Sequence, residues 1–271
     1  MAQDNKQLAK KINGGNELAT SFKKRALSKT KELAVRLASL SGESVAVDEK
    51  GFTETSKRLF SGLMYATMKV PQIAECKIET VGNCLLQSAV TGLYPGAMDE
   101  CYYLPYGKDC TFIADYRGLV KLAYQSGFVK DINYGAVFPE DDFDYQNGTD
   151  PFIKHISHTD EEIPQNMTHA YCVVRLSTGG CVFSVMTKKQ VDGVKNQSKS
   201  GSSQYSPWNK HYIAMALKTV IKRALKTIPK SATLQKALAI EAVTDNPDPS
   251  TSQIVDAEVD WAEFTEVQNA D

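Results

Sequence analysis

The sequence predicts an α+β fold, with N-terminal helices, two β-hairpins separated by a helix, and a basic helix near the C-terminal end. Apolar residues recur at three- and four-residue steps through the first third of the chain, which is typical of amphipathic helices. Two pairs of short β-rich segments follow, and each pair is joined by a glycine-containing loop. The helical spacing then returns in a lysine-rich stretch over residues 207–230. Because helices and hairpins are segregated along the chain, the pattern indicates α+β rather than alternating α/β.

Helices are predicted at the start of the chain. The apolar spacing predicts them over residues 17–40, 54–68 and 77–91, and Gly92 ends the third. We expect residues 1–50 to form a helical arm that takes part in oligomerisation.

The first hairpin joins two β-rich segments, Cys101–Pro105 and Cys110–Ala114, through a loop that contains Gly107. Asp115 follows directly and is suited to N-cap a helix, which Gly127 ends. These residues predict a strand, a turn, a second strand and a helix in immediate succession.

The second hairpin lies further along the chain. Strands are first predicted at about 131–138, 143–146 and 152–156. The hairpin itself pairs residues 169–176 with 181–186 across a Ser-Thr-Gly-Gly loop.

The last predicted elements are helical and basic. Thr187 caps a short helix, and a polar Gly/Ser-rich loop then leads into the helix of residues 207–230. Lys218, Lys222 and Lys226 recur there at four-residue steps, so they share one face beside an apolar stripe. We expect this face to be part of a broad basic surface.

Charge is segregated along the chain, although the formal net charge is only −1. Nine Lys and Arg residues and no acidic residue lie between Gly193 and Ile240. Nine acidic residues and no Lys or Arg lie between Glu241 and Asp271. One-signed charge over such a length costs self-repulsion, so the basic stretch indicates a polyanionic partner. The acidic stretch indicates a flexible tail. Three roles stay open for it: it docks a partner, it covers the basic surface as a DNA mimic, or it serves solubility.

Composition favours a globular protein in the cytoplasm. The chain has 271 residues, of which 42% are hydrophobic and 23% charged, as in ordinary soluble domains. No apolar run approaches the roughly 18 residues of a membrane helix, and the polar N-terminus does not resemble a signal peptide. Six cysteines without a CxxC spacing argue against zinc and against a disulfide framework. We expect no cofactor and no membrane contact.

Four segments follow one another in the order of a known family: TGLYPG at Thr91–Gly96, CYYLPYG with FIADYRGLVKLAYQSG at 101–127, MTHAYCVVRLSTGGCVFSVMTKKQV at Met167–Val191, and SKSG with SPWNKHYIAMALKTVIKRALKTIP at Ser198–Pro229. Together they resemble the RecT branch of the RecT/Beta family of phage-type single-strand annealing proteins. The resemblance covers most of residues 84–230.

The resemblance implies a protein of homologous recombination and repair that is not an enzyme. Such a protein binds single-stranded DNA without sequence preference and anneals it to a complementary strand without ATP. It works as a ring or helical filament of identical subunits, which hold the single strand and the nascent duplex in the bacterial cytoplasm. Its expected partners are an exonuclease and a host single-strand binding protein. Residues 51–240 would form the DNA-binding and annealing core, and residues 241–271 an acidic tail. The chain contains no GxxxxGK[ST] nucleotide loop.

Candidate DNA contacts are basic and aromatic residues, because cations neutralise phosphates and rings stack on bases. They are Lys108, Lys121, Lys199, Lys210, Lys218, Lys222, Lys226, Arg117, Arg175, Arg223, Tyr103, Tyr106 and Trp208. Core packing is an equal alternative for Trp208, and an ion pair with a carboxylate is an alternative for Arg117 and Arg175. Because neighbouring strand residues face opposite ways, at most one of Tyr102 and Tyr103 faces DNA.

Two other functions stay open at the level of sequence. A metal-dependent nuclease would use the acidic cluster Glu140–Asp144, the Glu75-Cys76-Lys77 segment, or His155 and His158. A passive coating protein would bind single strands and slow their pairing. The same carboxylates and imidazoles also suit a solvated surface.

Overall fold

The computed structural model describes residues 20–33, 53–160, 162–198 and 207–245. They form two compact units, one ending at Gly118 and the other beginning at Leu119. Helices are combined with small antiparallel sheets, so the predicted α+β class is confirmed. Most of the predicted N-terminal arm and of the predicted acidic tail lies outside the described residues.

The helices of the first unit form where the apolar spacing predicts them. Thr53 caps one of them, since its side chain accepts a hydrogen bond from the backbone N–H of Ser56 at 3.0 Å. Gly92 ends another with a φ of 69°, a left-handed conformation that favours glycine. The helices are α1, described over 20–33, α2 (Glu54–Lys69) and α3 (Ile78–Thr91), with a 3-10 turn at Pro71–Glu75 between α2 and α3.

The first hairpin pairs β1 (Cys101–Tyr106) with β2 (Asp109–Ala114) in antiparallel register. It contacts α3, and Phe112 is buried with an exposed fraction of 1%. Asp115 then accepts a hydrogen bond from the backbone N–H of Arg117 at 3.0 Å, which confirms its predicted capping role. The helix that it caps, α4 (Tyr116–Gln125), contains the division between the two units.

The second unit is built on a three-stranded antiparallel sheet in the order β3-β6-β7. One face of the sheet packs against a helix, α7, which contacts all three strands. On the other face, Tyr171 and Val173 pack with Phe143 and Ile153 of a separate two-stranded hairpin, β4–β5. The strands are β3 (Val129–Val137), β4 (Asp142–Gln146), β5 (Phe152–Ile156), β6 (His169–Leu176) and β7 (Cys181–Thr187).

In the described part of the chain four helices follow β7, and the first begins with a capping box. The Thr187 hydroxyl accepts from the Gln190 backbone while the Gln190 side chain accepts from the Thr187 backbone. The last helix is not predicted by the sequence, because its apolar residues form no sharp stripe. The helices are α5 (Lys188–Gln197), α6 (Pro207–Lys210), α7 (Tyr212–Leu225) and α8 (Ala232–Asp245). Within the described part of the chain, no helix is long and apolar enough to cross a membrane.

Candidate nucleic-acid interface

The tip of the β1–β2 hairpin presents an aromatic ring and a cation. Tyr106 is 48% exposed, and Lys108 is exposed in the two-residue loop, where Gly107 adopts a φ of 63°. The Lys108 carbonyl accepts a hydrogen bond from the Lys77 backbone N–H at 2.8 Å. The Lys77 ammonium also lies 3.1 Å from the Asp109 carboxylate. The backbone of the tip is therefore held in place while the side chains of Tyr106 and Lys108 face solvent.

Tyr103 lies on the opposite side of the same strand, in the core. Its exposed fraction is 1%, and its hydroxyl is 2.6 Å from that of Ser88. Burial raises the pKa of Tyr103 well above its usual value. The structure thus corrects the prediction of a DNA-facing ring at Tyr103, because strand alternation turns Tyr102 outward instead, with 38% of its surface exposed.

Arg117 forms an ion pair at the start of α4. Its Nη1 atom lies 2.6 Å from Oδ2 of Asp99, and its guanidinium carbon is 5.5 Å from the centre of the Tyr116 ring. The alternative of an ion pair is therefore observed. About half of the Arg117 side chain stays exposed, with an exposed fraction of 51%. Lys121, four residues further along α4, is half-buried.

Trp208 packs in the interior at the entry to α7. It is 3% exposed, and its ring meets that of Tyr212 edge to face, with 6.0 Å between the centroids. Tyr212 donates a hydrogen bond to Asp192 at 2.7 Å, and the Lys188 ammonium lies 4.4 Å from the centre of its ring. The structure therefore favours the packing alternative for Trp208. Lys210, two residues later, is exposed.

Lys218 and Lys222 of α7 are buried, with exposed fractions of 7% and 8%. Nζ of Lys218 lies 2.7 Å from Oε2 of Glu241, and Nζ of Lys222 lies 3.4 Å from the same oxygen. Glu241 belongs to α8 and is fully buried. The two lysines do share one face of α7, as predicted. The expectation that they belong to a broad basic surface is corrected, because both side chains are buried against the carboxylate of α8.

The remaining predicted cations have different environments. Arg223 and Lys226, at the end of α7, are exposed. Arg175 lies 3.7 Å from Asp131, which it faces across the β3–β6 ladder, so the predicted alternative of a cross-strand ion pair is observed. Lys199 lies outside the described residues.

Comparison with known proteins confirms the predicted family resemblance. The sequence model of the RecT family matches residues 59–254. Protein RecT of Escherichia coli strain K12 is 32% identical over 226 residues, which cover 80% of this chain and 81% of that protein. The chain belongs to the RecT family. Membership supports DNA binding and a single-strand annealing role in DNA recombination.

The RecT family match contains both regions that hold candidate DNA contacts. It includes the hairpin tip in the first unit and all of α7 and α8 in the second. The Lys218–Glu241 pair therefore lies within the part of the chain that carries the family likeness.

The acidic cluster of the nuclease alternative is tied into the fold through Asp141. One of its oxygens accepts from the His158 and Thr159 backbone N–H groups at 2.9 and 3.1 Å. The other accepts from the Phe138 N–H at 2.9 Å and lies 3.1 Å from Nε2 of His155. Within the described ranges, no group of three or more His, Cys, Asp or Glu side chains is arranged to hold a metal ion. The Asp141 carboxylate thus holds the loop that follows β5 in place.

Two features of the interface are not predicted from the sequence. Glu241 falls in the predicted acidic tail, although it is the first acidic residue after Asp192 and directly ends the basic stretch. Lys188 and Lys195 of α5 are also missed, and their ammonium groups lie 4.4 and 5.9 Å from the centre of the Tyr212 ring. In both cases the contact joins different helices, so local spacing carries no signal for it.

Proposed function

We propose that this protein binds single-stranded DNA through its phosphates, without sequence preference, and anneals it to a complementary strand without nucleotide hydrolysis. The observation that carries the proposal is the set of exposed cations at the two ends of α7. Lys210 precedes the helix, and Arg223 and Lys226 end it. They lie in a stretch that contains no acidic residue between Asp192 and Glu241 and that falls within the RecT family match.

Phosphate contacts leave the base edges free, which is what annealing requires. Lys and Arg side chains that neutralise phosphates release condensed counterions, so affinity arises without reading sequence. Each new base pair then supplies stacking energy to the pairing reaction. Binding energy and base pairing therefore suffice, and no nucleotide needs to be hydrolysed.

The first unit contributes a second kind of contact in this proposal. Tyr106 and Lys108 stand together at a fixed hairpin tip, where a ring can stack on a base and a cation can meet a phosphate. Arg117 can serve the same purpose with its exposed half, while its pair with Asp99 orients the guanidinium plane.

The family role suggests the partners and the setting. We propose a homo-oligomer in the bacterial cytoplasm that holds single-stranded DNA and the nascent duplex. An exonuclease would supply the strand, and a host single-strand binding protein would compete for it or hand it over. The N-terminal helical arm is the proposed region of subunit contact.

The test is annealing of two labelled complementary oligonucleotides without nucleotide, in a salt titration, with and without EDTA. We expect pairing to be faster than for DNA alone, to survive EDTA and to decline as salt rises, because phosphate contacts weaken with ionic strength. Strands that are degraded only when Mg²⁺ is present would instead establish a nuclease. Strands that are bound but stay unpaired would establish a coating protein.

A further inference from the structure

Glu241 places a carboxylate between two lysines of the helix that carries the proposed DNA contacts. Its Oε2 atom lies 2.7 Å from Nζ of Lys218 and 3.4 Å from Nζ of Lys222, and all three side chains are buried. Ammonium groups that converge on one oxyanion are what a protein uses to bind phosphate. The three side chains are therefore arranged as an oxyanion site, with a carboxylate of the same chain in the position of the ligand.

The burial of these charges is not explained by packing alone. Transfer of charged groups from water to the interior costs free energy that their mutual attraction does not always recover, and apolar residues of similar size often stabilise such positions equally well. The interior of α7 elsewhere uses such residues, as at Val220 and Ile221. Charged side chains at Lys218 and Lys222 therefore suggest a use beyond stability.

Lys218 and Lys222 lie away from a buried apolar stripe of α7. Small apolar residues of α7, Ala216, Val220 and Ala224, recur at four-residue steps and are buried. Lys218 and Lys222 are each two residues further, which is about 200° round the helix. The lysines thus lie on another side of α7, and α8 is joined to that helix through the short segment 226–231.

We propose that Glu241 is an internal substitute for a DNA phosphate, and that binding of a single strand displaces it so that Lys218 and Lys222 contact the phosphate backbone. The proposal rests on the proposed function, since it names the regulation of the same DNA-binding surface. Exchange of one oxyanion for another keeps both ammonium groups paired in the free and in the bound state. The carboxylate then acts as a competitor that weak or transient polyanions do not displace.

The first experiment replaces Glu241 by the isosteric but uncharged glutamine. Only the fraction of molecules with the lysines accessible binds through them, so removal of the competitor raises that fraction and the apparent affinity. We expect Glu241→Gln to bind a labelled oligothymidylate about 3- to 10-fold more tightly in fluorescence anisotropy. The increase in affinity should disappear when Lys218→Gln and Lys222→Gln are added to the same chain.

Glu140→Gln is the matched control, because Glu140 is exposed in the same unit and its replacement changes the net charge by the same amount. We expect the affinity of Glu140→Gln to equal that of the unaltered protein. Equal increases in Glu241→Gln and Glu140→Gln would overturn the proposal, because net charge would then explain both. Unchanged or weaker binding by Glu241→Gln would also overturn it and would make the cluster a purely structural one.

Hydrogen exchange on the unaltered protein tests the displacement even if Glu241→Gln does not fold. We expect the amides of residues 232–245 to become less protected when oligothymidylate binds, while those of α7 keep their protection. Equal or greater protection of residues 232–245 in the bound state would overturn the proposal. An unaltered protein that binds no single-stranded DNA would instead contradict the proposed function itself, so the two failures are distinguishable.

Discussion

Tyr103 and Tyr106 lie in one strand and have opposite environments, with exposed fractions of 1% and 48%. We expect Tyr106→Ala to weaken single-strand binding by roughly 1–3 kcal/mol, to a similar extent for different bases, since stacking does not select among them. Tyr103→Phe removes the hydroxyl that meets Ser88 at 2.6 Å. It should lower the free energy of unfolding by about 1 kcal/mol and leave DNA affinity unchanged. Anisotropy and urea denaturation of both variants check this. A weaker affinity for Tyr103→Phe than for Tyr106→Ala would contradict the assignment of the two rings.

Asp141 is a residue whose charge stabilises the fold. Burial acts to raise its pKa, but the hydrogen bonds from the Phe138 and His158 backbones, from His155 and from Thr159 lower the pKa below its ordinary value. A carboxyl group with a lower pKa in the folded state contributes stability above its unfolded pKa of about 4. That contribution is lost as the pH falls from there through the folded-state value. At neutral pH the ionised carboxylate thus holds the loop after β5 in place through these hydrogen bonds.

We expect Asp141→Asn to lower the free energy of unfolding at pH 7 by about 1–3 kcal/mol, since a buried acceptor set is disrupted. The difference from the unaltered protein should shrink below about pH 4, where the carboxylate begins to lose its advantage. Urea denaturation at pH 7 and pH 3 measures both effects. Asp144→Asn is the control, because Asp144 is exposed on β4, three residues after Asp141. An equal destabilisation of both variants at pH 7 would show that the hydrogen bonds of Asp141 contribute no more to the free energy of unfolding than an exposed carboxylate does.

Among the elements, α7 carries both buried and exposed cations. The exposed cations can be tested separately from the buried ones. Arg223→Ala with Lys226→Ala removes the exposed cations, so single-strand binding should weaken alike for all sequences. The slope of log affinity against log salt should fall by about 0.7 for each DNA phosphate that the variant no longer neutralises. Lys154→Ala is the control, because Lys154 is an exposed cation on β5, outside the proposed DNA-binding residues. A slope that stays unchanged in Arg223→Ala with Lys226→Ala would remove these residues from the site.

Elements with local signals are predicted well, and elements defined by tertiary contact are not. Asp115 and Thr187 cap helices, and Gly107 forms a hairpin loop, because each acts on its own neighbours in the chain. Lys218 is buried against Glu241, which is 23 residues away and lies on a helix without a sharp apolar stripe. Spacing places Lys218 on the correct face of α7, but it cannot reveal which element covers that face.

At the scale of the whole molecule, the distribution of charge determines how the chain meets a polyanion. Residues 246–271 contain seven acidic residues and no Lys or Arg, so a chain that ends at Asp245 has a formal charge of +6 rather than −1. It retains α8 and Glu241. Such a truncation therefore separates the long-range effect of the acidic stretch from the short-range effect of the buried carboxylate.

We expect the chain that ends at Asp245 to keep annealing, because every proposed DNA-binding residue lies before that position. Its affinity for single-stranded DNA should exceed that of the full chain at low salt, since the seven carboxylates that it lacks no longer repel phosphates. The two affinities should converge as ionic strength rises, because the Debye length falls from roughly 30 Å at 0.01 M to about 3 Å at 1 M salt. Anisotropy and annealing assays of both chains over this range measure the difference. A difference in affinity that persists at high salt would indicate a direct interaction of residues 246–271 with the DNA-binding surface. A truncated chain that fails to anneal would place those residues in the annealing machinery itself.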